Sequence, residues 1–341
     1  MNVGQREVRF RPPRVELAPE TAWVLNRAFA HRDRWMTLEV EPQKVLHAAR
    51  QLDLASRIGA WADDEGVVGE LGDDVAGSLR ETYRATALRT ASLAHLCRKV
   101  AEAAAEAGVE LFVLKGVANV LSRGACALGR QIADLDILIR STDKHRFYLL
   151  LSTLDFRQAV VKPTSYALAP FACPGGGAID VHHTVPELQA ADGAPFTFDT
   201  LKKHGLFERA PSLGQGCWLP SAEVRIAHML AHGIAKHGFA PAKYPLTRLL
   251  LDVSEYRWGT AELGRFFDDG YRFIQDSTRR AEVRAAFRLV ELLRSGESPN
   301  SITRSRTGEG ALLRHVVACA FDCTYCRSLV AAAAAAGDTG R

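Results

Sequence analysis

The chain has 341 residues, of which 47% are hydrophobic and 24% charged, the balance of a globular protein with a sizeable core. Its net charge of +4 and pI near 8.7 suit the binding of a polyphosphate. The charge is too weak, without a basic and aromatic stripe, to indicate a dedicated nucleic-acid binder. No apolar run has membrane-spanning length, and the first twenty residues contain no apolar h-region, so we expect no secretory signal. Seven scattered cysteines argue against a disulfide framework. We therefore expect a cytoplasmic protein.

The first third of the chain has mostly helical periodicity. Residues 1–20 are predicted to form a loosely held arm, and residues 21–62 space their apolar side chains as helices do. Residues 63–74, rich in glycine and acids, indicate a loop. A long amphipathic helix is predicted over 75–107. Residues 1–107 are accordingly interpreted as an N-terminal arm and helical region.

The middle of the chain alternates between strand and helix patterns. Strands are predicted over 110–114, 135–139, 156–161, 165–169 and 178–182, and helices over 117–123 and 144–154. This order is typical of a small mixed α/β or α+β sheet flanked by helices. Residues 108–185 are interpreted as this central domain. The glycine-rich turn at 174–177 precedes a strand rather than a helix, which makes it a poor phosphate cradle.

From Pro186 onward the pattern becomes helical again, and residues 186–341 are interpreted as a C-terminal helical domain. Helices are predicted over 224–237, 246–256, 261–267, 278–293 and 311–336, with a loop over 295–310.

An alternation of acids and aliphatics follows residue 133. In a strand, Asp134 and Asp136 project to one face while Leu135 and Ile137 point into a core. Neighbouring carboxylates repel each other, and a cation between them removes that cost. Oxygen ligands on a rigid strand suit Mg²⁺, which completes its shell with water and substrate phosphates. Asp180, in a second predicted strand, is a candidate third carboxylate. The pattern indicates metal-assisted phosphoryl or nucleotidyl transfer; the competing interpretation is a solvated turn at a strand edge.

Two basic positions are candidates for holding phosphates. Lys115 and Gly116 lie where a strand ends and a helix begins, so that glycine permits close approach to helix N-terminal amides and lysine supplies a point charge. Arg130, four residues before Asp134, could clamp a phosphate bidentately. The alternatives are a strand exit with a lysine reaching to solvent and an ordinary surface arginine.

Several histidines have open interpretations. His182 shares a strand face with Asp180, and it either steadies the site or a phosphate or is a half-buried strand histidine. His228 and His232 have zinc-compatible helical spacing, with His237 beyond, but the glutamate of a metalloprotease helix is absent. A helix packed on the sheet explains them equally well, and Asp252 is interpreted as capping or pairing with it.

The cysteines Cys319, Cys323 and Cys326 imitate the spacing of an iron–sulfur cluster motif. They lie near the C-terminus in a helical pattern, where positions i, i+4 and i+7 form one buried face. Small apolar cysteines are common in helix cores, so packing is the preferred interpretation.

In this order the motifs resemble those of a known family, the uncharacterised nucleotidyltransferases (NTP_transf_5) of the DNA polymerase beta superfamily. The resemblance covers roughly residues 45–260, including the later histidine-bearing helix. It is carried by Leu114-Lys115-Gly116, by Arg130 ahead of Asp134-Leu135-Asp136, and by Asp180-Val181-His182. It implies a small mixed polymerase-beta-like sheet flanked by N- and C-terminal helical domains. The implied reaction is transfer of a nucleoside monophosphate from an NTP to an acceptor, with release of pyrophosphate.

The resemblance also implies roles for individual residues. Asp134 and Asp136 would bind two Mg²⁺ ions, or Mn²⁺ in their place, and Asp180 would bind the catalytic ion and orient the acceptor hydroxyl. The residues implied to hold the nucleotide are Lys115, Gly116, Arg130, His182 and His232.

The acceptor stays open among a small molecule, an antibiotic, a peptide and a protein side chain. Members of the resembled family occur beside peptide natural-product enzymes, which makes a peptide hydroxyl worth testing. Two other classes compete with the enzyme: a catalytically silent protein of the same fold that binds a nucleotide or a partner, and an iron–sulfur protein.

Overall fold

The structure is a computed structural model that describes part of the chain. The described residues are 17–30, 39–63, 65–123, 129–172, 177–189, 193–230, 232–233, 246–255, 272–273, 285 and 288–295. Several sequence-based expectations lie outside them: most of the N-terminal arm, His237, the helices over 261–267 and 311–336, and the three C-terminal cysteines. Among the described helices, none combines the length and hydropathy needed to cross a bilayer.

The helices of the described part lie before, within and after a central sheet. They are α1 (Pro19–Phe29), α2 (Pro42–Gln51), α3 (Ala55–Gly59), α4 (Glu65–Glu106), α5 (Lys115–Arg123), α6 (Lys144–Thr153), α7 (Phe198–Lys203), α8 (Ala222–Leu230) and α9 (Leu246–Glu255). Helices α1 and α2 each begin with proline, whose fixed φ and missing N–H suit the first helical turn.

Helix α4 begins earlier than the sequence predicted, since residues 65–74 are helical rather than a loop. Val67, Leu71 and Val75 recur at a spacing of four and are all buried. Their packing outweighs the helix-weakening glycines of this segment. The loop pattern corresponds instead to a kink at Gly72, whose φ of 73° lies in the left-handed region that glycine tolerates.

The strands form two sheets within the described residues. They are β1 (Leu111–Val113), β2 (Leu135–Ile139), β3 (Arg157–Gln158), β4 (Phe171–Ala172), β5 (Ala178–His182), β6 (Val185–Gln189), β7 (Pro195–Phe196), β8 (Phe207–Arg209), β9 (Cys217–Pro220) and β10 (Arg272–Phe273). The main sheet has the order β3-β4-β5-β2-β1-β9-β8, and a small sheet has the order β10-β6-β7. Strand β2 runs parallel to β5 and antiparallel to β1, while β9 runs parallel to β1. The mixed sheet with flanking helices confirms the predicted fold class.

The expectation of helix alone after Pro186 was wrong, because β6 to β9 lie in that region. These strands have two to five residues each, too few to show a clear period. Strand β9 gains its partner from β1, about a hundred residues earlier in the chain, and local sequence does not reveal such a pairing. The main sheet thus draws strands from both sides of residue 185. The division into 1–107, 108–185 and 186–341 stays a prediction.

The two faces of the main sheet pack against different hydrophobic cores. Leu135 and Ile137 belong to a core shared with the C-terminal half of α4, α5 and α6. Phe112 and Leu138 belong to the other core, formed with α1 to α3, α8 and α9. Because side chains alternate along a strand, Asp136 projects toward the face that carries Leu138.

The close packing of α3 on α4 can be tested directly by a substitution at Gly59. A Cβ atom at Gly59 would lie 2.1 Å from the carbonyl oxygen of Leu79, which belongs to backbone and cannot move away cheaply. We expect Gly59→Ala to lower the free energy of unfolding by roughly 2–3 kcal/mol, measured by denaturant titration. Gly77→Ala is the matched control, because nothing lies within 4 Å of a Cβ there. It should be neutral or stabilising by about 0.5–1 kcal/mol. Equal effects of the two changes would contradict the packing.

Candidate active site

Two acids on neighbouring strands form the centre of the candidate site. In the parallel register of β2 and β5, Asp136 stands opposite Asp180 and Leu138 stands opposite His182. Directly paired positions project to the same face of a sheet. The structure therefore places Asp136, Asp180 and His182 together, although more than forty residues separate Asp136 from the other two.

The Asp136 carboxylate is buried and has two close partners. Its side chain is 3% exposed, with the Lys115 Nζ 2.6 Å and the His182 Nε2 3.0 Å from the same oxygen, Oδ1. Because a carboxylate only accepts, Nε2 of His182 donates this hydrogen bond. Burial by itself would raise the pKa of Asp136. The Lys115 ammonium and the His182 hydrogen bond outweigh burial and hold that pKa well below its ordinary value.

Lys115 reaches Asp136 because of the backbone between β1 and α5. The Leu114 N–H donates to the Asp136 carbonyl over 2.9 Å, which fixes the end of β1 beside the acid. Lys115 itself has φ of 48°, a left-handed conformation that costs a residue with a side chain about 1–2 kcal/mol. The ion pair with Asp136 offsets this strain.

Asp134 lies one residue before β2 and is half-buried. Burial, followed by the charge of Asp136, raises its pKa from 3.8 to about 6, and the charge of Asp180 acts in the same direction. The Lys115 ammonium opposes this shift only in part. Asp134 thus adds a negative charge that the site tolerates poorly in the absence of a further cation.

The side chains at this position can hold a divalent cation. Among the described residues, Asp136, Asp180 and His182 each offer a ligand atom, and these atoms lie within 4.8 Å of one another. Carboxylate oxygens suit Mg²⁺ and Mn²⁺, and an imidazole nitrogen can bind Mn²⁺ in place of its proton. Asp134 lies beside this group, since the charges of both other acids act on it. The set expected from sequence, Asp134, Asp136 and Asp180, stays a prediction, with His182 as an added candidate ligand.

Arg130 has a different environment from the one expected. Its Nε and Nη2 each donate over 2.6 Å to the two carboxylate oxygens of Asp252 in α9, and both side chains are nearly buried. Its Nη1 would lie 2.3 Å from a Cβ at Gly116, so only glycine leaves room for this guanidinium at the start of α5. Thr90 in α4 donates to the Arg130 carbonyl over 2.9 Å. Arg130 thus joins α4, α5 and α9, with its bidentate edge on Asp252 rather than on a phosphate position.

Of the histidines singled out in the sequence, those described have neighbouring aromatic rings. The ring of Tyr166 stacks on His182 with an interplanar angle of 10°. His228 is buried in α8, and the His232 ring stands edge-to-face with it at 6.3 Å between centroids. The nucleotide-binding role expected for His232 stays a prediction.

Two contributors went unrecognised in the sequence: Asp252 as the partner of Arg130, and Tyr166 as the ring beside His182. Asp252 lies 122 positions from Arg130, so no local spacing could connect them. Tyr166 owes its position to the bridge between Ala167 and His182, another long-range contact.

The mixed sheet with its flanking helices is consistent with the fold of a nucleotidyltransferase, and a comparison with known families agrees. The model of the family described as uncharacterised nucleotidyltransferase matches residues 39–262, and the chain belongs to this family. A search of curated proteins found no match. The solved structure of the antibiotic-resistance factor ANT(2'')-Ia is similar at 15% identity and a TM-score of 0.36, over 58% of this chain and 92% of that one.

The raised pKa of Asp134 predicts how stability depends on pH in metal-free protein. The folded pKa of about 6 exceeds the ordinary 3.8, so the ionised acid opposes folding fully above pH 6 and the penalty fades as pH falls toward 4. Asp134→Asn should therefore stabilise the protein at pH 7.5, by roughly 2 kcal/mol, and by less at pH 5. Thermal melting in EDTA at both pH values measures this. A gain that is independent of pH would contradict the assignment.

The Arg130–Asp252 pair predicts a large cost for losing one partner. Asp252 is 2% exposed, so Asp252→Asn leaves a buried guanidinium without its counter-charge and should cost roughly 3 kcal/mol of unfolding free energy. The exposed pair of Lys44 with Glu41 is the matched control, and Glu41→Gln should change stability by less than about 0.5 kcal/mol. Denaturant titration of both variants measures the two losses of unfolding free energy. A loss at Asp252→Asn as small as that at Glu41→Gln would mean that the Arg130–Asp252 pair does not hold α9.

Proposed function

We propose that the protein transfers a nucleoside monophosphate from an NTP to a hydroxyl of an acceptor and releases pyrophosphate, using Mg²⁺ or Mn²⁺. The observation that supports this most is the register of Asp136 with Asp180, with Lys115 bonded to the inner acid. Two facing acids with a lysine beside them match what phosphate transfer needs: a position for divalent cations and a positive charge for the phosphate chain.

The acids have distinct roles in this proposal. Asp134, Asp136 and Asp180 would hold two divalent ions, which would neutralise charge on the phosphates and make the acceptor hydroxyl easier to deprotonate. Asp180 is less buried than Asp136, so it can face the acceptor, orient its hydroxyl and take its proton. Asp136 keeps its charge because Lys115 and His182 stabilise the carboxylate.

The basic side chains would hold the phosphates. Lys115 supplies a mobile ammonium, and Gly116 lets the start of α5 approach the chain of phosphates. Arg130 would contribute its positive charge beside Gly116, where Nη1 also donates to the Gln131 carbonyl, while Nε and Nη2 are bonded to Asp252. His182 and His232 complete the proposed nucleotide site.

The partners and the compartment belong to the same proposal. We expect an NTP and an acceptor of small-molecule, antibiotic, peptide or protein type, in the cytoplasm, and no dedicated nucleic-acid partner. A catalytically silent nucleotide-binding protein of this fold is the alternative. The paired acids favour the enzyme, because two facing carboxylates weaken rather than assist the binding of a bare polyphosphate.

The direct test is incubation with each labelled NTP, Mg²⁺ and a cell extract, followed by mass spectrometry for a nucleotidylated product. Asp136→Asn should reduce product formation by at least about 100-fold, since it removes several kcal/mol of charge stabilisation. Asp199→Asn is the control: this acid is 74% exposed on α7, where it pairs with Arg140 at the far end of β2, and activity should be unchanged. Nucleotide binding without any product, in wild-type protein supplied with all four NTPs, would favour the silent alternative.

A further inference from the structure

Lys115 occupies the position of a counter-ion in the acid cluster. Its ammonium lies 2.6 Å from Oδ1 of Asp136, the oxygen that also accepts from His182. A buried carboxylate needs a positive partner, and in this arrangement the lysine provides it from within the chain.

The same carboxylate belongs to the group that can hold a divalent cation. Asp136, Asp180 and His182 bring their ligand atoms within 4.8 Å of one another. An ammonium 2.6 Å from one of these ligands would stand next to the ion, and like charges so close in a poorly solvated site repel each other strongly. The ion and the lysine therefore compete for Asp136.

The Lys115 side chain can move away from the ion pair, whereas the Asp136 carboxylate is fixed within the sheet. Asp136 sits within β2 at 3% exposure, while the Lys115 side chain is 18% exposed and ends in a single charge on a flexible stem. A triphosphate bound at the start of α5 offers that ammonium a new partner.

We propose that Lys115 is an exchangeable counter-ion, paired with Asp136 in the empty site and transferred to the triphosphate when a divalent cation takes its place. This deepens the proposed function and rests on it. Exchange makes the cation and the triphosphate bind cooperatively: each alone must break the Lys115–Asp136 pair, while together they satisfy both partners. Thermodynamic linkage requires the cation to tighten triphosphate binding by the same factor by which the triphosphate tightens cation binding.

The first measurement uses Mn²⁺ alone, followed by electron paramagnetic resonance at pH 7.5. Lys115→Met removes the competing charge at similar length and should tighten Mn²⁺ binding at least fivefold. Lys115→Gln, which keeps a hydrogen-bond donor without charge, should also tighten Mn²⁺ binding. It replaces Lys115→Met in this measurement if the methionine variant folds poorly. Unchanged or weaker Mn²⁺ binding in folded variants would overturn the exchange.

The second measurement uses inorganic tripolyphosphate in EDTA, by calorimetry, so that no metal takes part. Asp136→Asn removes the ion pair that holds Lys115 and should tighten tripolyphosphate binding at least fivefold. Asp180→Asn is the matched control, because it removes the same charge from the facing strand position and leaves the Lys115–Asp136 ion pair in place, so its gain should be clearly smaller. The double variant Lys115→Met/Asp136→Asn should lose the gain. Equal gains for the two single variants would overturn the proposal.

The two proposals fail in different ways. Both proteins are supplied with a tenfold molar excess of Mn²⁺ at millimolar protein concentration. If neither wild-type protein nor Lys115→Met binds Mn²⁺ under these conditions, the metal centre and the exchange are both overturned. If both binding measurements give the expected result while no NTP yields a product, the exchange stands and the transferase proposal fails.

Discussion

The burial of one charged carboxylate is the constraint on which the rest of the site depends. Removing an acid such as Asp136 from water costs several kcal/mol unless charges and hydrogen bonds compensate it. Lys115 and His182 supply that compensation on a single oxygen. The left-handed backbone at Lys115 and the register of β2 with β5 are both conditions for these two contacts. The strained backbone at Lys115 and the pairing of β2 with β5 therefore both position the groups that stabilise the Asp136 carboxylate.

The Arg130–Asp252 pair ties this site to the helices around it. Through Thr90, Gly116 and Asp252, Arg130 contacts α4, α5 and α9. An arginine held bidentately by Asp252, with Nη1 donating to the Gln131 carbonyl, is well fixed in position. The helices that follow the sheet therefore contribute to the geometry of the site.

The two ends of β2 differ in how well their charges are matched. At the C-terminal end, Arg140 bonds to Glu110 and Asp199 and lies over the Phe198 ring at 4.0 Å, while Trp218 also donates to Glu110. These groups compensate one another, as in a structural network. At the N-terminal end, burial and then the charge of Asp136 raise the pKa of Asp134 to about 6, and a bound cation would reduce this cost. Unfavourable electrostatics of this kind are typical of functional sites.

The sequence by itself determined the mixed sheet with flanking helices, the strand with Asp136, the strand with Asp180 and His182, and the helix predicted over 117–123, which in the structure begins at Lys115. These features depend on alternation and helical spacing, which are local. Only the tertiary structure decided that β2 and β5 are neighbours, that His182 and Lys115 share one oxygen of Asp136, and that Arg130 is bonded to Asp252. Such contacts join residues 21 to 122 positions apart, and their free energy comes from burial and charge pairing that exist only once the chain has packed.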